Sequence, residues 1–255
     1  MIQKLVTKNA NPEENLSILE VLYFPFFIFK THIVKREKFL SVISFGFINS
    51  LFLSAKDKAP VNSLTDCNDP ITPPVPEGPF YKDEKLNRID ITETKKGTAI
   101  EYIFKVEDEN CKPIQGAIVD IWQCDSEGIY SDFKQENTVN ETWLRGYQVT
   151  DKHGMCRFKS IFPGWYDGRI THLHAKVHVN NATVLTTNFF FPKEMENNIY
   201  QTNAALYSKG INPVAISQDI ELKVDKDTKR YDALLMKFEK DNKGNLFASY
   251  TIAIV

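Results

Sequence analysis

Ala99-Ile100-Glu101-Tyr102-Ile103-Phe104-Lys105-Val106 sets Ile100, Tyr102, Phe104 and Val106 at every second position. A period of two puts those four side chains on one face of an extended strand, where a core can cover them. Asp108-Glu109-Asn110-Cys111-Lys112-Pro113 follows as a turn, and residues 116–124 read as the next strand. Asp151-Lys152-His153-Gly154 is another turn, which leaves His153 exposed and leads into a strand over 155–162. Residues 183–191 continue the pattern and end in Phe189-Phe190-Phe191, stopped by Pro192. Residues 193–210 are polar and read as partly helical. The chain then gives way to 220–224 and 231–240, a turn at Asn242-Lys243-Gly244-Asn245, and a final strand over 247–255. That last pair reads as a hairpin closing a sheet. Short strands punctuated by turns about every ten residues predict an all-β fold, a two-sheet β-sandwich with short helices and loops.

The region before this core has a different character. Lys35-Arg36-Glu37-Lys38 precede an apolar run over 39–53, followed by Ser54-Ala55-Lys56. A basic start, an apolar stretch and a small-residue exit read as a secretory signal peptide. The run is short for a membrane span and rich in Ser, Gly and Asn. No cysteine follows Ala55, so a lipid-anchored form is not indicated. Signal peptides rarely begin so late, and no methionine lies between Met1 and Met155. The expectation is therefore a translation start near Val34 at a non-AUG codon, with an N-terminal helix or membrane anchor as the alternative. Residues 56–79 contain five prolines between Pro70 and Pro79 and read as an extended arm. The division is thus 1–55 as a signal-like segment, 56–79 as a Pro-rich linker and 80–255 as the folded domain. Export follows if the signal-like segment is used, and a cytoplasmic location otherwise.

A net charge of −2, with charged residues spread along the chain, argues against nucleic acid as a partner. Membrane contact is expected only through an uncleaved N-terminal segment, and an oligomer is compatible with the sequence. Of the four cysteines, Cys124 and Cys156 lie in apolar strand patterns and read as buried thiols. Cys67 can bridge another cysteine if the chain is exported, and the sequence does not give the pairing. None forms a C-x-x-C pair, which argues against a zinc knuckle or a thioredoxin-like site.

The chemistry concentrates in Tyr166-Asp167-Gly168-Arg169-Ile170-Thr171-His172-Leu173-His174. On a strand, His172 and His174 share a face and would present two imidazoles to one metal ion. Four of the five histidines fall between His153 and His178, so the pair belongs to a local cluster. An H-x-H pair alone is weak, since exposed or core-satisfied histidines are commoner. Tyr166 precedes the pair, and Tyr130 ends Asp125-Ser126-Glu127-Gly128-Ile129-Tyr130. Phenolate oxygens and imidazole nitrogens suit a hard ferric ion better than thiolates do. Core packing is the competing reading for both tyrosines, and a surface ion pair for Arg169.

Five ordered motifs carry a resemblance to the intradiol ring-cleavage dioxygenases. They are Glu77-Gly78-Pro79-Phe80-Tyr81, the strand from Gly116 to Gln123, Gly128-Ile129-Tyr130-Ser131, Pro163-Gly164-Trp165-Tyr166, and Arg169 with His172 and His174. The resemblance runs from about Pro73 to the C-terminus. It implies a non-haem Fe(III) cofactor held by Tyr130, Tyr166, His172 and His174, with a small aromatic diol and O2 as substrates. The ring would be cleaved between its two hydroxylated carbons to a muconate-type diacid. Tyr166 would leave the metal and take up a substrate proton, and Arg169 would stabilise the electron-rich ring. Tyr81, Trp165 and Asn188 would border the substrate pocket. Members commonly carry glutamine where this chain has Asn188, and often tyrosine where it has Phe190; both departures bear on the choice of catechol. The loop from Tyr166 to His172 is short for the family and would admit bulkier rings. The alternative is a non-catalytic transthyretin-like or carboxypeptidase-regulatory-like β-sandwich, which the turn from Asp108 and Pro163-Gly164-Trp165-Tyr166 also resemble.

Overall fold

The strand marked by the opening alternation is β1 (Ala99–Asp108), in which Tyr102, Phe104 and Val106 are fully buried and Ile100 nearly so. The structure is a computed structural model that describes residues 70–255. The signal-like run, the proposed late start, Cys67 and the first part of the arm lie outside the described residues. Among the described residues two four-stranded sheets form the all-β sandwich. One has the order β4 (Met155–Ile161), β1, β8 (Leu246–Ile254), β7 (Lys237–Lys240). In it β8 runs parallel to β1, and β7 folds back on β8 as the expected closing hairpin. The other has the order β3 (Arg145–Val149), β2 (Ile118–Trp122), β5 (His172–Val179), β6 (Ala182–Phe190), with every pair antiparallel. The β5–β6 hairpin turns through Asn180 and Asn181, both at positive φ, as a tight two-residue turn with right-handed strand twist requires.

Phe104 of β1 meets Phe158 of β4 and Phe189 of β6, with ring centroids 6.2 and 5.2 Å away. Val119, Ile121, Leu173, Ala175 and Val177 join them in one core cluster. Because side chains alternate across a strand, His172 and His174 lie on the opposite face of β5 from Leu173 and Ala175. The site is thereby placed on the outer face of its sheet, under a roof of loops.

Three segments differ from the sequence expectation. β3 carries no apolar alternation; it is an edge strand whose Tyr147 and Gln148 are half-buried and whose Val149 is exposed. Residues 220–224 form turns, not a strand, and much of 231–240 is a 3-10 helix, Thr228–Leu234. Leu222, Tyr231 and Leu234 are buried there by packing on the core, which gives an apolar signal without extended backbone. The polar 193–210 stretch contains α1 (Lys193–Thr202).

The described end of the arm is extended and tied to both sheets. Thr72 N–H donates to the Ala253 carbonyl at 2.9 Å and Val75 N–H to the Thr186 carbonyl at 3.0 Å. Thr187 Oγ1 donates to the Pro73 carbonyl at 2.7 Å. These bonds deliver residues 77–81 to the rim of the site. Cys124 and Cys156 are buried free thiols, as their strand patterns suggest, and Cys111 is disulfide-bonded.

Candidate metal centre

The β2–β5–β6 register sets Trp122, His174 and Asn188 in one row, so all three share the outer face. Trp122 stacks on the His174 ring at 4.8 Å with planes 3° apart, which fixes the imidazole plane. Two positions earlier, His172 is anchored by its own backbone: Nδ1–H donates to the Ile170 carbonyl at 2.5 Å. That bond leaves His172 Nε2 with a free lone pair. The two Nε2 atoms stand 3.0 Å apart.

The tyrosines arrive on two turns that pack backbone against backbone. Asp125 Oδ1 accepts from the Glu127 and Ile129 N–H groups at 2.9 and 3.0 Å, closing the turn that ends in Tyr130. Gly128, at φ +81°, faces the Trp165 carbonyl so closely that a Cβ would lie 2.2 Å from it. Gly164 meets the Ser126 carbonyl in the same way, at 2.4 Å. The glycines of Gly128-Ile129-Tyr130-Ser131 and Pro163-Gly164-Trp165-Tyr166 are thus what lets both phenols reach one point.

At that point Tyr130 Oη lies 3.1 Å from His174 Nε2 and 3.5 Å from His172 Nε2. Tyr166 Oη lies 3.2 Å from His172 Nε2. Ligands bound at about 2.0–2.2 Å to one ion stand about 2.9–3.5 Å apart at right-angled to tetrahedral geometry. The donor separations therefore match those around one metal ion. The charge of the imidazoles fits too. Burial, with help from Arg169, holds both imidazoles well below the usual histidine range, so they are neutral. Burial pushes both phenols well above 10 in the metal-free protein, so a cation strong enough to displace their protons is required. Two phenolates and two neutral imidazoles suit a trivalent hard ion better than zinc.

Arg169 is 1% exposed and held rigidly. Its Nε donates to both oxygens of Asp219, at 3.0 and 2.9 Å, and Asp219 is itself fully buried. Glu221 Oε2 lies 2.9 Å from Nη1, though off the hydrogen-bond axis. Nη1 also donates to Tyr166 Oη at 3.3 Å, placing a fixed positive charge beside the half-buried phenol. Neither carboxylate had a sequence signal: Asp219 follows Arg169 by 50 residues with no motif between them.

The expected pocket residues sort differently. Tyr81 turns away from the donors; its hydroxyl donates to Asp120 at 3.1 Å and Lys176 lies over its ring. Its neighbour Phe80 takes the place over the donors, stacked on Tyr130 at 4.1 Å and edge-on to Tyr166 at 5.6 Å. Phe80 sits in a turn, and Arg145 Nη1 donates to its carbonyl at 2.7 Å. Trp165 donates its indole N–H to the Gly210 carbonyl at 2.9 Å and braces the turn. Asn188 is fully buried between His174 and Arg169, and Phe190 packs in the core.

The family model described as "Dioxygenase" matches residues 74–206. Catechol 1,2-dioxygenase 1 of Acinetobacter lwoffii is 27% identical over 141 residues, covering 46% of this chain and 45% of that protein. Hydroxyquinol 1,2-dioxygenase of Rhizobium sp. (strain MTP-10005) is 30% identical over 117 residues, 39% of either protein. The chain thus spans less than half the length of these relatives. Among solved structures, an intradiol ring-cleavage dioxygenase from Tetranychus urticae superposes with a TM-score of 0.64 at 29% identity. That match covers 72% of this chain and 94% of the other.

Proposed function

This chain belongs to the intradiol ring-cleavage dioxygenase family, and from that membership we propose that it cleaves a catechol-type ring between its hydroxylated carbons with O2. The product is a muconate-type diacid, and the cofactor a non-haem ferric ion held by Tyr130, Tyr166, His172 and His174. The observation that carries this reading is the approach of those four donor atoms to separations of 3.0–3.5 Å. A non-catalytic sandwich has no use for two phenols and two buried imidazoles meeting at one point.

A ferric ion held by these four residues would supply Lewis acidity toward an aromatic diol and its reaction with O2. The protein does the rest by placement. Tyr130, 1% exposed and covered by Phe80, is the phenol held shut. Tyr166 is half-buried and touched by a cation, so its oxygen is the one placed to accept a substrate hydroxyl proton. Arg169 keeps its guanidinium edge beside that oxygen, where negative charge develops on the ring; the charge is preorganised because Asp219 clamps the other edge. Phe80 and Trp122 wall the donors with aromatic surface and keep water from them.

The disulfide at Cys111 supports export of the chain through an oxidising compartment, in line with the signal-like segment. Oxygen uptake by the iron-loaded protein, measured across catechol, protocatechuate, hydroxyquinol and methylcatechols, tests the function. One O2 consumed per diacid formed is the expected result. No uptake with any diol, or cleavage outside the pair of hydroxylated carbons, overturns it.

A further inference from the structure

Asn188 faces His174 across the β5–β6 ladder and is fully buried. Its side-chain amide has three neighbours: His174 Nδ1 at 2.7 Å, the Thr187 carbonyl at 3.0 Å and Arg169 Nη2 at 2.8 Å. Arg169 can only donate and the carbonyl can only accept. The amide oxygen therefore faces Arg169, and the NH2 group faces Thr187 and His174. His174 Nδ1 must then be an acceptor, which puts its ring proton on Nε2. That proton has an acceptor in Tyr130 Oη, 3.1 Å away, while the Tyr166 hydroxyl at 3.2 Å donates to His172 Nε2, whose lone pair is bare because His172 Nδ1–H is engaged by Ile170. The metal-free row is fully satisfied only with His174 in this tautomer.

That tautomer cannot ligate through Nε2. Ligation needs a lone pair on Nε2 and a proton on Nδ1, and the proton then needs an acceptor where Asn188 presents a donor. Turning the amide over supplies the oxygen but sets its NH2 group against Arg169 Nη2, two donors 2.8 Å apart, and its oxygen against the Thr187 carbonyl at 3.0 Å, so only a bound metal favours it. We propose that Asn188 is a positioning residue with two amide orientations that couple metal loading to Arg169. One holds His174 as the Nε2–H form and engages Arg169 Nη2. The other holds His174 ready for metal and releases Nη2 from its protein acceptor. This rests on the ferric-site reading above but not on any ring cleavage, so the two stand or fall by different measurements.

Histidine nitrogen NMR of the 15N-labelled, metal-free full chain tests it. The wild type should show His174 as Nε2–H and His172 as Nδ1–H, and titration with diamagnetic gallium(III) should move the His174 proton to Nδ1. Asn188→Asp supplies an oxygen to His174 and to Arg169 at once, giving up only the bond to the Thr187 carbonyl. It should hold His174 as Nδ1–H before any metal is added, and retain ferric ion against a competing chelator by roughly tenfold more, the lower end of what such outer partners contribute. A wild-type His174 already protonated at Nδ1 without metal overturns the proposal, as does a proton that stays on Nε2 in the aspartate variant. If that variant does not fold, the gallium titration of the wild type decides alone. A tautomer switch without O2 uptake on any diol would refute the enzyme reading and leave this one standing.

Discussion

Replacing Asp219 by alanine strands a guanidinium. Arg169 is 1% exposed, its Nε bonds both Asp219 oxygens, and those oxygens also accept the N–H groups of Ile170, Glu221 and Leu222 at 2.9, 2.9 and 3.2 Å. Removing one partner of a buried pair typically costs about 3–5 kcal/mol, because the other charge is left uncompensated. Glu221 stays 2.9 Å from Nη1 and can take up part of that charge, which sets the expectation near the lower end, about 3 kcal/mol. For a domain of this size that lowers the melting temperature by roughly 6–12 °C. Urea and thermal unfolding of the metal-free protein measure it. The control is the double variant Arg169→Met with Asp219→Asn, which removes both charges while an amide oxygen still accepts backbone N–H groups, and should recover much of the loss. A single variant that loses under about 1 kcal/mol, or a double as unstable as the single, would refute the claim that Asp219 holds the arginine charge.

Two further outcomes follow from the same geometry. Burial raises the Asp120 carboxyl from the ordinary 3.8 to about 7, despite the hydroxyl of Tyr81. A raised carboxyl stabilises the fold only while protonated, so its contribution is present below about pH 4 and lost as pH climbs through 7. Asp120→Asn should therefore exceed the wild-type urea midpoint by more at pH 8 than at pH 5, the gain growing between about pH 4 and 7; an equal gain at both values contradicts the burial argument. Gly128→Ala would drive a Cβ to 2.2 Å from the Trp165 carbonyl at a positive φ. It should separate the two tyrosine turns and lower ferric affinity at least tenfold, on the scale of a lost supporting contact, as read by chelator competition. Unchanged affinity means the turns do not need their close contact.

The sandwich was legible because strands β1, β2, β4 and β6 carry strong apolar signals between turn residues. β3 was not, since an edge strand holding Arg145 and Tyr147 needs little apolar surface. Residues 220–224 misled in the other direction: burial of Leu222 in a turn looks, in one dimension, like a strand. At the site, ligand types and the two-residue histidine spacing were readable, as they obey strand geometry. The two glycine turns that bring Tyr130 to Tyr166 showed as motifs, but their mutual contact did not. Asp219 and Phe80 became visible only in three dimensions. The first is a long-range ion pair with no spacing rule, and the second was one residue from the tyrosine that drew attention.

The central claim is that Tyr130, Tyr166, His172 and His174 hold one ferric ion. Anaerobic titration of the metal-free chain with iron(III), followed by metal analysis and visible spectroscopy, tests it most directly. The expected result is one ion per chain and a red-brown phenolate-to-iron charge-transfer band that weakens in Tyr166→Phe and vanishes in Tyr130→Phe with Tyr166→Phe. A colourless protein, or a band indifferent to both tyrosines, contradicts the account.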